Sequence, residues 1–177
     1  MPYGGLQTGL GGPTGLTTEG TFTSEIPQVT ALDVPETVTL GSGGNSLNNH
    51  AVLAATGVLT ILTAGYYALK QRFRVGRTGV AGISRLFFWA EMSTDAGVTW
   101  TKFGDSVDVS LDSSNENTIF FDIPHIKVTS GTMLRNRFVR SSTGDNSGGL
   151  LPSVPSLILE NLGVPSAPSA QLTLYKL

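Results

Sequence analysis

The segment YYALKQRFRVGR, Tyr66–Arg77, alternates in polarity more clearly than any other part of the chain. Its odd positions carry Tyr67, Leu69, Gln71, Phe73 and Val75, and its even positions include Lys70, Arg72 and Arg74. Because successive side chains of a β-strand point to opposite faces, this pattern predicts a strand with one largely apolar face and one basic face. A chain built around such a strand needs a sheet that buries one side.

Further β-rich runs are separated by polar breaks such as GSGGNSLNN and STGDNSGG. No window has the 3.6-residue period of an amphipathic helix, so we expect little or no helix. Closely spaced short strands favour an all-β sandwich or barrel. The predicted strands are Gln28–Leu32, Thr37–Leu40, Val52–Ala55, Val58–Thr63, Tyr66–Arg77, Arg85–Met92, Thr99–Phe103, Ser106–Leu111, Thr118–Ile123, Met133–Arg140, Leu157–Glu160 and Gln171–Tyr175.

The run RLFFWAEM carries large side chains on both of its faces. Leu86 and Phe88 fall on one face, whereas Phe87 and Trp89 fall on the other. A strand that is apolar on both faces lies between two layers or is covered by a partner chain. This run therefore indicates either a central strand or a contact with another subunit.

The first 24 residues differ in composition from the rest of the chain. They contain seven Gly, two Pro and six Thr, with the isolated leucines Leu6, Leu10 and Leu16. Such a segment buries too little apolar surface to offset the entropy of ordering itself, so it is either a disordered tail or is held by another chain. We expect an extended N-terminal arm over residues 1–24 and one domain over residues 25–177.

Composition argues against several classes of function. The chain has no Cys, which excludes disulfides and thiolate metal sites, and its two histidines have no recognised zinc spacing. A net charge of −2 argues against general binding to nucleic acid. The opening residues have neither a positive region nor a compact apolar run, so we expect no secretory leader. We predict no metal and no cofactor.

The uncharged stretch Ala51–Leu69 offers a different interpretation. It spans nineteen residues and is followed by KQRFR, as in a membrane stop-transfer signal. Interspersed Thr and Gly, and an alternation that continues past the charged residues, favour strands instead. A transmembrane helix stays open as the less favoured alternative.

The motif STDAGVTW, Ser93–Trp100, matches the Asp-box of sialidases and other β-propeller enzymes. In that motif the carboxylate accepts hydrogen bonds from the loop, the Gly takes a positive φ and the Trp packs on the sheet. A single copy in a chain of this length lacks the blades and acid pair of a glycosidase. We therefore predict that Asp95, Gly97 and Trp100 form a structural hairpin and that the protein is not an enzyme.

Two other groups of residues have side chains that suit a binding site. The stretch DSVDVSLDSSNEN is rich in oxygen ligands, but it lacks the spacing of a calcium loop, and a solvated strand edge is the default. The basic residues on alternating strands either keep the outer faces soluble or form a patch that meets an acidic partner. They are Lys70, Arg72, Arg74, Arg135 and Arg137. His50 and His125 have no visible Ser or Asp partner, and we predict no catalytic residue.

Three segments together carry a family resemblance: AGYYALKQRFRVGRTG, IPHIKVTSGTMLRNRFVRSS and the closing strand Leu172–Tyr175. Over roughly residues 28–177 the pattern resembles the small TNF-like trimeric jelly rolls found on bacteriophage virions. The chain departs from the cytokine members in lacking a signal anchor and Cys, which favours a virion protein.

The resemblance implies a TNF-like jelly-roll β-sandwich that assembles as a homotrimer with its final strand near the three-fold axis. It implies trimer contacts through Tyr66, Phe87, Trp89, Leu172 and Tyr175. It also implies that Leu6, Leu10 and Leu16 anchor the arm on a major capsid protein. The expected function is that of a capsid decoration (cement) protein on the capsid exterior, without membrane or nucleic-acid partners. The alternatives are the receptor-binding tip of a head or tail fibre and, less favoured, a small carbohydrate-active enzyme.

Overall fold

The computed structural model describes residues 17–24, 27–41, 43–46, 50–77, 82–112, 116–144, 147–153, 157–163 and 165–177. In this part the chain forms thirteen strands and one short helix, so the all-β prediction is confirmed. The elements are β1 (Thr17–Ser24), β2 (Glu36–Thr37), β3 (Gly43–Ser46), β4 (Ala51–Leu53), β5 (Leu59–Ile61), β6 (Gly65–Arg77), β7 (Ser84–Ser93), β8 (Thr101–Leu111), β9 (Asn117–Phe120), β10 (Ile123–Val128), β11 (Met133–Arg140), β12 (Gly148–Leu150), α1 (Leu157–Asn161) and β13 (Ala170–Lys176).

The strands form two antiparallel sheets that enclose a shared core. The larger sheet has the order β10-β6-β13-β1-β3, with β9 and β12 also paired to β6. The smaller sheet has the order β4-β5-β11-β7-β8, with β2 paired to β11. Strands that are consecutive in sequence thus often lie in different sheets, as in a jelly-roll sandwich.

The core lies between the sheets and follows the predicted alternation of β6. Phe73 of the larger sheet stacks on Phe88 at 5.2 Å between ring centroids, and Phe88 stacks on Phe138 at 6.0 Å. Gln71 is the polar exception, because it is 2% exposed and its amide atoms have no hydrogen-bond partner among the described residues. The aromatic stack joins β6 to β7 and β11, so it ties the two sheets together.

Strand β1 changes the predicted boundary of the N-terminal arm. Thr17–Ser24 pairs with β13 on one side and β3 on the other, and Phe22 is buried in the core. These eight residues therefore belong to the sandwich, because the sheet satisfies their backbone hydrogen bonds. Residues 1–16, with Leu6, Leu10 and Leu16, lie outside the described residues.

Several predicted strands differ in extent or kind from the observed elements. The two runs Thr99–Phe103 and Ser106–Leu111 form one strand, β8, with a left-handed Gly104 (φ +69°) where its pairing with β7 shifts. The predicted strand Leu157–Glu160 is wrong: the segment forms α1, which has no sheet partner and is followed by Gly163 at φ +78°. A run of four mostly apolar residues is compatible with either a strand or a helix. Among the described residues no strand pairs with this segment to hold it extended.

The membrane alternative for Ala51–Leu69 is wrong. This stretch folds as β4, β5 and the first part of β6, which pair with one another or with neighbouring strands. Across the described residues, no helix has the length and apolar character needed to cross a bilayer. The uncharged run reflects strands packed into the sandwich core.

Candidate subunit interface

The outer face of the larger sheet combines exposed aromatic and basic side chains. We define it by Tyr66, Lys70 and Arg72 of β6, Phe120 of β9, Lys127 of β10, and Gln171, Thr173 and Tyr175 of β13. The Phe120 side chain is 71% exposed and the Tyr66 side chain is 46% exposed. Large aromatic rings in water on a sheet face are typical of a surface that another molecule covers.

The cations of this outer face are arranged around its aromatic rings. The Lys70 ammonium lies 5.8 Å from the Tyr175 ring centroid, and the Lys127 ammonium lies 5.8 Å from that of Tyr66. Arg72 pairs across the strands with Phe120 and has no ion pair within the described residues. The face is therefore aromatic and positively charged, and the alternation of β6 predicted its basic character.

Two shallow depressions on this face surround Asp122. One has a volume of about 360 Å³ and lies between Arg72, Phe120 and Gln171. The other has a volume of about 410 Å³ and is bounded by Pro124, Tyr175 and Leu177. Asp122 lines both, and its carboxylate accepts a 3.3 Å hydrogen bond from the backbone N–H of Gln71. Both depressions thus lie where the chain passes from β9 to β10.

The side of the sandwich next to this face is open, and we call it the open edge. It consists of β8 at the edge of the smaller sheet and β9 and β10 at the edge of the larger sheet. A cleft of about 530 Å³ runs between them. Its apolar lining is supplied by Phe103, Val107, Phe121, Ile123 and Ile126, and its polar lining by Asp105, Asp122 and His125. The open edge is thus an apolar cleft with an acidic rim.

The outer face of the smaller sheet differs, because a polar network within the chain covers it. The indole N–H of Trp89 donates to Glu91 at 2.8 Å, and Arg135 donates to the same carboxylate at 2.7 Å. The Arg135 guanidinium lies 3.8 Å from the Trp100 ring centroid. Arg137 donates to the Thr37 hydroxyl at 3.0 Å. These side chains engage one another across the face, although the buried Nε of Arg137 has no hydrogen-bond partner among the described residues.

The pKa of Glu91 reflects this network. Partial burial of the carboxyl raises its pKa, but hydrogen bonds from Trp89 and Arg135 and the charges of Arg135 and Arg137 lower it, and the net pKa is below its ordinary value. Glu91 is therefore a stable anion that holds two guanidinium groups on the sheet. Its role in this geometry is to organise the face.

The structure separates the five residues predicted to share the trimer contact. Tyr66 and Tyr175 lie on the outer face of the larger sheet, whereas Phe87 and Trp89 lie on the opposite outer face. Leu172 is 3% exposed and packs in the core, so its assignment to a subunit contact is wrong. Strand β13 is central in its sheet, and its parity turns Leu172 inward between the sheets.

Ring closure limits which of these surfaces can serve one trimer contact. A cyclic trimer joins two different patches of each chain, and the ring closes only when those patches are inclined to each other. The two outer faces of a sandwich point in opposite directions, so joining them would give an open stack. Phe87 and Trp89 therefore cannot be the complement of Tyr66 and Tyr175 in a closed trimer.

Sequence reasoning missed Phe120, Asp122 and Lys127 as members of the surface. The run Ile119–Phe121 is apolar at every position, so its alternation does not reveal which ring faces outward. The open edge depends on β8 of the smaller sheet and β9 and β10 of the larger sheet lying on the same side of the sandwich, which is a property of the topology.

The turn at Ser93–Trp100 is held by its own hydrogen bonds. The Asp95 carboxylate accepts from the hydroxyl and backbone N–H of Thr99 and from the Ser93 hydroxyl, and these bonds lower its pKa to about 2. Gly97 has φ +86°, and the Trp100 indole donates to its carbonyl at 2.9 Å. The three predicted residues thus meet in one turn, away from the depressions around Asp122.

The two histidines lie in separate parts of the structure. His50 is 3.0 Å from the Thr63 hydroxyl, and the ring of His125 lies 5.8 Å from that of Tyr66. In the described ranges, no three His, Asp or Glu side chains come together in a way that could hold a metal ion.

The two antiparallel sheets and their strand order define the class of fold, a TNF-like jelly roll. The sequence matches no protein-family model and no curated protein sequence. Among solved structures the chain is similar to the Eiger TNF of S. frugiperda, with a TM-score of 0.56 and 11% sequence identity over 90% of this chain and 92% of that one. The likeness is one of fold, and it confirms the predicted TNF-like architecture.

Proposed function

We propose that this protein is a structural component of a bacteriophage virion: a homotrimeric capsid decoration (cement) protein that binds and stabilises the major capsid protein shell. The observation that carries the proposal is the exposed aromatic and basic outer face of the larger sheet, which continues into an apolar open edge. The outer face of one copy and the open edge of another could bind each other, so the chain has the two surfaces that self-assembly needs. The resemblance of the sequence to virion jelly rolls supports the choice of assembly.

The geometry of the two surfaces supports a closed trimer. The outer face and the open edge meet along β9 and β10, so they point in different directions on one side of the sandwich. A head-to-tail contact between such inclined patches closes into a ring. In this arrangement Phe120 is the central apolar anchor, because it lies where the two surfaces meet and is already in water in the single chain.

Residues 1–16 supply the proposed contact with the shell. They precede Thr17, which pairs with Lys176 at the end of the sandwich that also contains Tyr66 and Leu177. Three-fold symmetry brings three such segments to the same end of the trimer, and simultaneous binding multiplies a weak individual contact. Leu6, Leu10 and Leu16 are the proposed anchors into apolar depressions of the major capsid protein.

Deletion of residues 1–16 tests this function. The deletion leaves β1 intact, so the truncated protein should still fold and assemble as a trimer, but it should bind empty capsids at least tenfold more weakly. Light scattering gives the assembly mass, and co-sedimentation with shells gives the binding. Normal decoration of shells by the truncated trimer would contradict the anchor assignment.

Copy number on the particle separates decoration from the fibre-tip alternative. Hundreds of copies distributed over the shell, counted in an electron cryo-microscopy reconstruction, are expected for a cement protein. A few dozen copies confined to fibres or to the tail would contradict the proposal and favour receptor binding.

A further inference from the structure

Unpaired charges of opposite sign lie on the two surfaces that the proposed trimer brings together. On the outer face of the larger sheet, the Lys70 ammonium lies over the Tyr175 ring, and neither Lys70 nor Arg72 forms an ion pair with any described residue. On the open edge, the exposed Asp105 carboxylate has neither a hydrogen bond nor an ion pair within the described ranges. The outer face is thus a cationic patch, and the open edge carries an acidic rim.

Several other charges on these elements are already engaged. Arg74 is paired with Glu116, and Asp108 is paired with Arg85 at 3.2 Å on the far side of β8. Lys102, near Asp105 on the open edge, donates to the Ser106 hydroxyl at 3.3 Å. Lys70, Arg72 and Asp105, like Lys127, form no ion pair with any described residue, so solvent or another molecule is left to supply the opposite charge.

We propose that Lys70 and Arg72 of one copy bind Asp105 of the next copy, so that charge pairs across the contact fix the register of the trimer. The occupant of the outer face is then the open edge of a second copy of this chain. The inference rests on the proposed trimer and adds to it the identity of the complementary residues. Asp122, which lines both surfaces, lies at the border of the contact and extends the acidic rim.

Physical chemistry gives these pairs a specific role. Exposed ion pairs contribute little by themselves, but charges next to a desolvated apolar anchor suppress wrong registers and accelerate encounter. Phe120 lies beside Arg72 across the β6–β9 pair, so burial of its ring would remove water from the neighbouring guanidinium. Added salt screens such pairs over about 10 Å at 0.1 M, so assembly should weaken as ionic strength rises.

The test is a charge exchange on the full-length protein, followed by analytical ultracentrifugation in 50 mM and 500 mM NaCl. The double variant Lys70→Glu, Arg72→Glu should raise the apparent dissociation constant of the trimer at least tenfold at low salt. Adding Asp105→Lys to that variant should restore most of the affinity. Arg85→Glu, on the outer face of the smaller sheet, is the matched control and should assemble like the wild type, and circular dichroism checks that each variant is folded.

The outcomes separate this inference from the proposed trimer. Loss of assembly in the double variant, rescue by Asp105→Lys and weakening by salt in the wild type would support the ion pairs. If salt did not change the dissociation constant of the wild-type trimer, and the double variant assembled as tightly as the wild type, the proposed ion pairs would be wrong. The proposed trimer would not be affected by that result. Assembly lost in the double variant but not restored by Asp105→Lys would overturn the choice of Asp105. A monomer at every concentration and salt would overturn the trimer itself.

Discussion

At the scale of single residues, the turn at Ser93–Trp100 separates a motif from the activity with which it is associated. The Asp95 carboxylate accepts hydrogen bonds from Ser93 and Thr99, and the Trp100 indole donates one to the Gly97 carbonyl. Each group closes the turn, and none is directed at a depression. The residues of the motif therefore stabilise the conformation of this turn, and the same turn is compatible with different β-sheet folds.

The depressed pKa of Asp95 predicts how acid affects the turn. The folded pKa is about 2 and the unfolded value is about 3.9, so the stabilisation is complete above the unfolded value and is lost as the pH falls through the folded pKa. Asp95→Asn should lower the free energy of unfolding at pH 7. Between pH 4 and pH 2, the free energy of unfolding should fall less in this variant than in the wild type. Urea denaturation midpoints across that window measure the effect.

Asp112→Asn is the control for this experiment, because Asp112 is exposed after β8 and is not part of the turn. It should follow the wild-type pH dependence. If Asp95→Asn lost stability in parallel with the wild type on acidification, the carboxylate would not be the group that holds the turn.

At the scale of elements, the sheets depend on short strands that have almost no side-chain pattern. Gly148 of β12 packs so closely on β7 that a Cβ at this position would lie 1.9 Å from the Ser84 hydroxyl oxygen. Gly149 similarly approaches the Gln28 carbonyl. Glycine lets β12 complete the larger sheet while lying against the smaller one.

Gly148→Ala should therefore lower the free energy of unfolding by about 1–3 kcal/mol, because the added methyl group forces β12 away from β7. Chemical denaturation measures the change. Gly65→Ala is the matched control, since it lies in β6 with its nearest neighbour at 3.5 Å, and it should be neutral or slightly stabilising. Equal stability of the two variants would contradict the close approach.

Strong side-chain alternation made β6, β7 and β11 predictable within one or two residues of each end. Strands β3 (GGNS) and β12 (GGL) were missed because Gly gives no periodic signal and their pairing is set by tertiary contacts. For the candidate interface, the basic face of β6 was predictable from parity. The sequence did not predict the inward direction of Leu172 or the open edge, because each depends on which strands become neighbours.

At the scale of the whole molecule, assembly should depend on Phe120 more than on any aromatic residue of the smaller sheet. Phe120→Asp places a charge in the proposed contact without disturbing the core, since the ring is 71% exposed in the single chain. The variant should remain folded and shift from trimer to monomer. Light scattering gives the mass, and thermal denaturation monitors folding.

Val98→Asp is the matched control, because Val98 is 81% exposed at the turn between β7 and β8 and lies outside both surfaces. It should stay trimeric. A Phe120→Asp protein that assembles as well as this control would place the contact elsewhere on the sandwich.

The position of β1 has a mechanical consequence. The strand is flanked by β13 and β3, so a pull on the residues before Thr17 acts along the strand and loads its hydrogen bonds together. A tether attached to an edge strand would instead be peeled away one bond at a time. A force applied along β1 at Thr17 would therefore load the hydrogen bonds of this strand to β13 and β3 in shear.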